Sequence, residues 1–266
     1  MRAARARRPA GRHPSPEPGR AVEVAVRDGV AWVTLARPAT GNRCDAALLG
    51  ALADACETVE DADDARVVVL AARGAAFSRG LPRGCRWPEP AWPDGVAALA
   101  AVTKPVIAAI QGDALGWGLA VALACDLRIA SSEAVLALPE LGQDAFPGGG
   151  VTQRLARIVG VARALDLVLL GTRLGATRAA EWGLVTAVVP PGRLAATVGE
   201  AARTLAARGP LALRLAKEAV VRALDLPLAE GIRLEQDLYV LLQTTEDRRE
   251  GIRAFLDKRN PRFSGR

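Results

Sequence analysis

The sequence predicts an α/β fold in which strand-strand-helix units recur ahead of a C-terminal region that is helical only. Three observations carry this. Runs rich in Val and Ile alternate with Ala/Leu-rich amphipathic segments about three times between Val22 and Val189. Between Lys104 and Arg154 an apolar run, a glycine turn and a helix of small residues follow one another with almost no charge until Asp126. From Gly192 onward only helical spacing remains, with Pro190-Pro191 ahead of it and Gly209-Pro210 within it as punctuation. The chain thus divides into a tail at 1–20, an α/β core at 21–190 that carries the candidate site, and a helical region at 191–266.

Val22 to Val26 and Val30 to Leu35 alternate apolar and polar residues around Arg27-Asp28-Gly29, the pattern of a β-hairpin. After the loop ARPATGN, Asp45 caps a helix over Ala46 to Val59, with Leu48, Leu49, Leu52 and Ala55 at helical spacing. Arg66 to Ala72 holds VVVLAA, a buried strand by its β-branched density. Gly74 to Gly95 is rich in Gly, Pro and Trp and reads as a loop folded over a site, because Phe77, Trp87 and Trp92 need burial. Pro105 to Ile110 is the next strand. It breaks at Gly112, and Ala114, Gly116 and Gly118 permit a tight turn before a helix begins near Trp117. Close packing alone would also explain those glycines; a helix starting there would in addition aim unpaired N–H groups at a developing negative charge. Helices follow at 148–158, at Val161 to Leu170 between Gly160 and Gly171, and at Ala176 to Trp182, then a last strand over Val185 to Val189.

Composition narrows the function. The chain has 266 residues, 50% of them apolar, and a net charge of +6. Residues 1–20 hold six arginines and one acid, a net +5, which leaves the remainder at +1. Four prolines break any helix in that tail, so it is expected to be disordered and able to touch an anionic surface. Basic residues are not interleaved with aromatics, which argues against nucleic acid, and no apolar run suits a membrane span or a signal peptide, so a cytoplasmic protein is expected. The sole histidine, His13, sits in the tail, and Cys44, Cys56, Cys85 and Cys125 lack metal-ligand spacing; no metal site or Cys/His nucleophile pair is expected.

FSRG at 77–80, GDALGWGLAVALACDLRIA at 112–130, PEL followed by PGGGVTQRL at 139–155, and the tail TTEDRREGIRAFLDKRNPRF at 244–263 stand in an order and spacing that closely resemble the enoyl-CoA hydratase/isomerase (crotonase) family. The resemblance runs from about Val22 to Phe263 and implies the crotonase spiral of ββα units with a C-terminal helical region that builds homotrimers or dimers of trimers. It also implies an acyl-CoA thioester as substrate, with no separate cofactor because coenzyme A arrives on the substrate. Backbone N–H groups at Leu81 and Trp117 would then bind the thioester oxygen, and Glu140 would be the acid/base. The residues agree: Leu136, Leu138 and Leu141 around Glu140 would raise its pKa toward neutrality. Arg79, Phe255 and Lys258 correspond to the family's nucleotide contacts.

The departures matter as much. Pro82 stands where the family has an acid, Arg79 where it has a small residue, and Trp117 where it has glycine or a medium apolar side chain. Ala120 stands where hydratases carry a second glutamate. A single carboxylate can still shuttle a proton between two carbons, so double-bond isomerisation is the first reading. Hydration of a 2-enoyl-CoA, with Asp144 or an ordered water replacing the missing acid, is the second, and a non-catalytic acyl-CoA binder the third. Asp144 equally suits solvent or a helix cap, and Asp113 a turn.

Overall fold

The computed structural model describes residues 20–85 and 92–266. The expectations for the Arg-rich tail through Gly19, for His13 and for Trp87 lie outside the described residues.

β1 (Val22–Arg27) and β2 (Val30–Leu35) pair antiparallel. Asp28 and Gly29 both take positive φ, 53° and 77°, the twist a two-residue hairpin turn needs. From β2 the pairing is parallel, through β3 (Val67–Ala72), β4 (Val106–Ile110), β6 (Leu127–Ser131) and β9 (Ala187–Val189), giving the order β1-β2-β3-β4-β6-β9. Parallel neighbours need crossovers, and helices supply them. α1 (Ala46–Asp61) starts where Asp45 accepts a hydrogen bond from Leu48 N, and α2 (Gly95–Ala101) where Asp94 accepts one from Ala97 N. α3 (Trp117–Leu123) leads from β4 toward β6.

Helices cover both faces of this sheet. Val68, Leu70, Ala108 and Ile110 pack with residues of α1, α2 and α3, while Val67, Val69 and Ile107 meet Leu194, Val198 and Ala202 of α7 (Leu194–Ala206). Double coverage is why β3 and β4 read as unbroken apolar runs. A second sheet, in the order β5-β7-β8, joins β5 (Asp113–Leu115), β7 (Val135–Ala137) and β8 (Leu174–Gly175). It lies beside the main sheet in the chain path, and Ser78 adds an isolated bridge to Ala114. These short strands, and α2, go beyond what the sequence pattern anticipates.

α4 (Val151–Val159) and α5 (Val161–Leu170) lie between β7 and β8, and α6 (Ala176–Glu181) follows β8. α8 (Pro210–Arg222) and α9 (Leu228–Gln243) bury no residue, and α10 (Glu246–Leu256) buries Asp247 and Ala254. Specific bonds fasten this region. Lys217 Nζ donates to Val102 O and Lys104 O and pairs with Asp126 at 2.7 Å. Asp247 accepts from Ser264 N and Gly265 N, and Arg66 donates to Phe263 O.

Candidate active site

A cavity of about 650 Å3 opens between the segment after β3, the start of α3 and the loop after β7. Its first wall is the loop Ser78-Arg79-Gly80-Leu81. Ser78 is fully buried; its hydroxyl donates to Asn42 O at 2.7 Å and accepts from Gly80 N at 3.3 Å. Asn42, also fully buried, donates through its amide to Arg73 O and Ala76 O and accepts from Arg37 N, so it ties the loop's approach to the strand behind it. Gly80 takes φ +71°, and a Cβ there would lie 2.8 Å from Leu115 O and 3.4 Å from Trp117 N. Bond geometry from Gly80 then puts the Leu81 and Trp117 amide nitrogens within about 7 Å of each other. Trp117 is the first residue of α3 and has no intrahelical acceptor for its N–H. Among the described residues, neither amide donates a backbone hydrogen bond. Two free donors therefore stand side by side at the cavity, the arrangement that stabilises an oxyanion.

Glu140 forms a second wall. It follows the buried β7 residues Leu136 and Ala137 and is 6% exposed. Oε2 is buried without a hydrogen-bond partner. Burial raises its pKa above the ordinary 4.5, since removing a carboxylate from water penalises the charged form. Gly116 makes room for it: a Cβ there would sit 2.1 Å from Glu140 Oε1, and the backbone at φ +54°, ψ −121° suits glycine alone. Gly116 N donates to Ala137 O at 2.9 Å, locking the turn to the strand that carries the acid.

The Trp117 ring packs beneath Gly148 and Gly149. Cβ atoms at those glycines would lie 2.6 Å from Cζ2 and 3.4 Å from Cε3 of the indole, and the second would also meet Ala120 Cβ at 3.0 Å. The volume beside the fully buried Ala120 is therefore filled by an aromatic ring and backbone. The Trp117 indole N–H is buried without a partner.

The mouth is cationic. Arg43, Arg79, Arg83 and Arg173 line the cavity, against two carboxylates, Asp113 and Glu140. Asp113 is engaged by Arg79 at 3.1 Å and Arg173 at 3.5 Å, which suits a turn residue holding side chains in place better than an acid. Of the residues expected at the site, Glu140, Leu81 and Arg79 line the cavity, and Trp117 N lies at its edge beside Gly80. Asp144 is exposed, in the left-handed region at φ 52°, and is not part of the lining. Phe255, 83% exposed on α10, and Lys258 beyond it do not line the cavity of their own chain. Arg43, Asp113 with Arg173, and the Asn42–Ser78 pair are the parts that sequence reasoning missed. Only the glycine-asparagine pair at 41–42, both at positive φ, hints at a special backbone there. Cys44, Cys56 and Cys125 are buried thiols, pushed up to about 11, 12 and 12 by burial.

The enoyl-CoA hydratase/isomerase family model matches residues 25–266. A Rhizobium meliloti (strain 1021) protein named "Probable enoyl-CoA hydratase" is 40% identical over 251 residues, covering 91% of this chain and 97% of its own. The 2,3-dehydroadipyl-CoA hydratase of Escherichia coli (strain K12) is 37% identical over 250 residues, covering 91% and 98%. A solved structure of enoyl-CoA hydratase subunit I from Geobacillus kaustophilus HTA426 superposes with a TM-score of 0.86 at 39% identity, over 92% of this chain and 98% of that one.

Proposed function

We propose, from the premise that this chain belongs to the enoyl-CoA hydratase/isomerase family of enzymes, that it moves the double bond of an enoyl-CoA thioester by carrying one proton through Glu140. The observation that carries the reading is Glu140 itself: a buried carboxylate with a free oxygen, set against the Gly116 turn that precedes the Trp117 amide, with no second unengaged carboxylate in the described lining. With a 3-enoyl thioester, the carbonyl oxygen accepts from Leu81 N and Trp117 N. Ionised Glu140 takes the proton from C2, and the electrons of that C–H bond pass into a dienolate whose charge rests on the bound oxygen. Glu140, now protonated, returns the proton at C4, leaving the 2-enoyl product with no atom gained or lost. Each amide contributes about 2.7–4 kcal/mol of transition-state stabilisation. The raised pKa brings Glu140 closer to the carbon acid it must deprotonate. The arginines at the mouth suit the phosphates of coenzyme A.

The test is conversion of 3-enoyl-CoA to 2-enoyl-CoA in deuterated water, with wild type and Glu140→Gln. Delivery to C4 of the proton taken from C2, seen as less than one solvent deuterium at C4 per turnover, together with loss of turnover in the variant supports the reading; equal turnover in both sinks it.

Hydration is the second reading, favoured by the relatives, several of which are named hydratases. Glu140 would then have to orient the water without a second free carboxylate. Formation of 3-hydroxyacyl-CoA from 2-enoyl-CoA, faster than any double-bond shift, would make it the first. A homotrimer or dimer of trimers is proposed as the assembly, supported by exposed apolar residues on α9 and α10 such as Leu228 and Phe255; light scattering checks it.

A further inference from the structure

We propose that Arg43 is a positioning residue that holds the Leu81 amide aimed into the cavity; this rests on the reading of Leu81 and Trp117 as the pair that binds the thioester oxygen. Three consecutive carbonyls, those of Arg79, Gly80 and Leu81, are all taken by the segment 43–44. Arg43 Nη1 donates to Arg79 O at 3.0 Å and also to Leu81 O, and Cys44 N donates to Gly80 O at 2.8 Å. On the same loop Arg79 N donates to Gly41 O and Gly80 N to the Ser78 hydroxyl, so Leu81 N is the one donor of the three left over.

Peptide planarity turns this into direction. The Leu81 N–H and the Gly80 carbonyl belong to one trans peptide and point opposite ways. With that carbonyl fixed on Cys44, the N–H faces away from it. The plane could still swivel about its flanking bonds, and the permissive Gly80 at φ +71° is where it would do so. Arg43 closes that freedom by gripping the carbonyl on each side.

Both bonds leave one nitrogen, Nη1, whose two hydrogens are held in the guanidinium plane, so their two directions are fixed together as a freely turning ammonium's are not. The position is otherwise unfavourable for a cation: burial, then the neighbouring Arg83 and Arg79, lower the Arg43 pKa. Nothing anionic is paired with it among the described residues, and carbonyl oxygens are what it holds.

The experiment compares wild type, Arg43→Lys and Arg43→Ala in conversion of 3-enoyl-CoA, and in the infrared C=O stretch of a bound saturated acyl-CoA carrying carbon-13 at the thioester carbon. A mis-aimed donor should lower kcat on the order of 10²-fold with KM nearly unchanged. The carbonyl band should move back toward its position in water, and added guanidinium should restore part of both in Arg43→Ala. Arg43→Lys, which keeps the charge, should recover little. The proposal is overturned by a raised KM at unchanged kcat, by a wild-type carbonyl band in both variants, or by full activity in Arg43→Lys. If the wild type itself shows no carbonyl shift with the thioester bound, the oxyanion reading falls and this proposal with it. Circular dichroism of each variant identifies misfolding, and if Arg43→Ala is misfolded, Arg43→Lys decides between these outcomes.

Discussion

On one side of the cavity each carbonyl of residues 79–81 has a donor and Asn42 and Ser78 are buried in a closed network, while on the other Glu140 keeps a carboxylate oxygen with no partner at all. Under the proposed function each wall needs a different quantity fixed. Donors to an oxyanion need a direction, and hydrogen bonds to the neighbouring carbonyls give it. A general base needs a proton affinity, and burial beside Leu136 and Leu138 gives that without spending the oxygen on a structural bond. The first wall stabilises the fold; the second costs it stability.

The sharpest way to break this contrast is Glu140→Gln, which should lower turnover by about 10²–10⁴-fold while leaving acyl-CoA binding measurable by calorimetry. The same variant tests the cost. Because burial raises the folded-state pKa of Glu140, its contribution to stability is fully present below the unfolded value, near 4.5, and is lost as pH rises through the folded value. Glu140→Gln should therefore melt above the wild type at neutral pH, with the gap closing as pH falls toward 4.5; a gap that widens on acidification would contradict the assignment.

Gly116→Ala comes next. Its methyl would overlap Glu140 Oε1 at a φ of +54°, so both turnover and melting temperature should drop, with at least about 1–2 kcal/mol lost to backbone strain alone. Asn42→Ala attacks the other wall. It leaves Arg73 O, Ala76 O and Arg37 N without their partner, and urea unfolding should show a loss of about 3 kcal/mol or more. The smallest effect is expected from Arg79→Ala. This exposed arginine pairs with Asp113, and its removal should weaken coenzyme A binding by under about 1 kcal/mol, less still at high salt.

What the chain made legible follows length and chemistry. The hairpin at Asp28-Gly29, α1 behind its Asp45 cap, and the runs of β3 and β4 carry enough periodic residues to be read directly. β5, β7 and β8 are strands of two or three residues, DAL, VLA and LG, too short to hold a period, and their pairing is fixed by contacts far along the chain. At the site, Glu140 and the Gly116 turn stood out through their motifs. The lack of a partner for Oε2 could not, because it depends on what folds around it. Arg43 looks like ordinary surface in a linear reading, and only the folded loop shows its two carbonyl acceptors. Phe255 and Lys258 match motif positions, yet neither lines the cavity that holds Glu140.

Gly116 couples the two walls through a single missing methyl. The carboxylate stands in the space a side chain would claim, and the same residue turns the backbone so that the next amide comes free. The separation between the Glu140 carboxylate and the free amide at Trp117 is thus set at one position and can hardly be retuned by substitution there. New substrate preferences would have to arise in the ring at Trp117, the loop after Glu140 and the arginine rim, which can vary while this spacing is inherited intact.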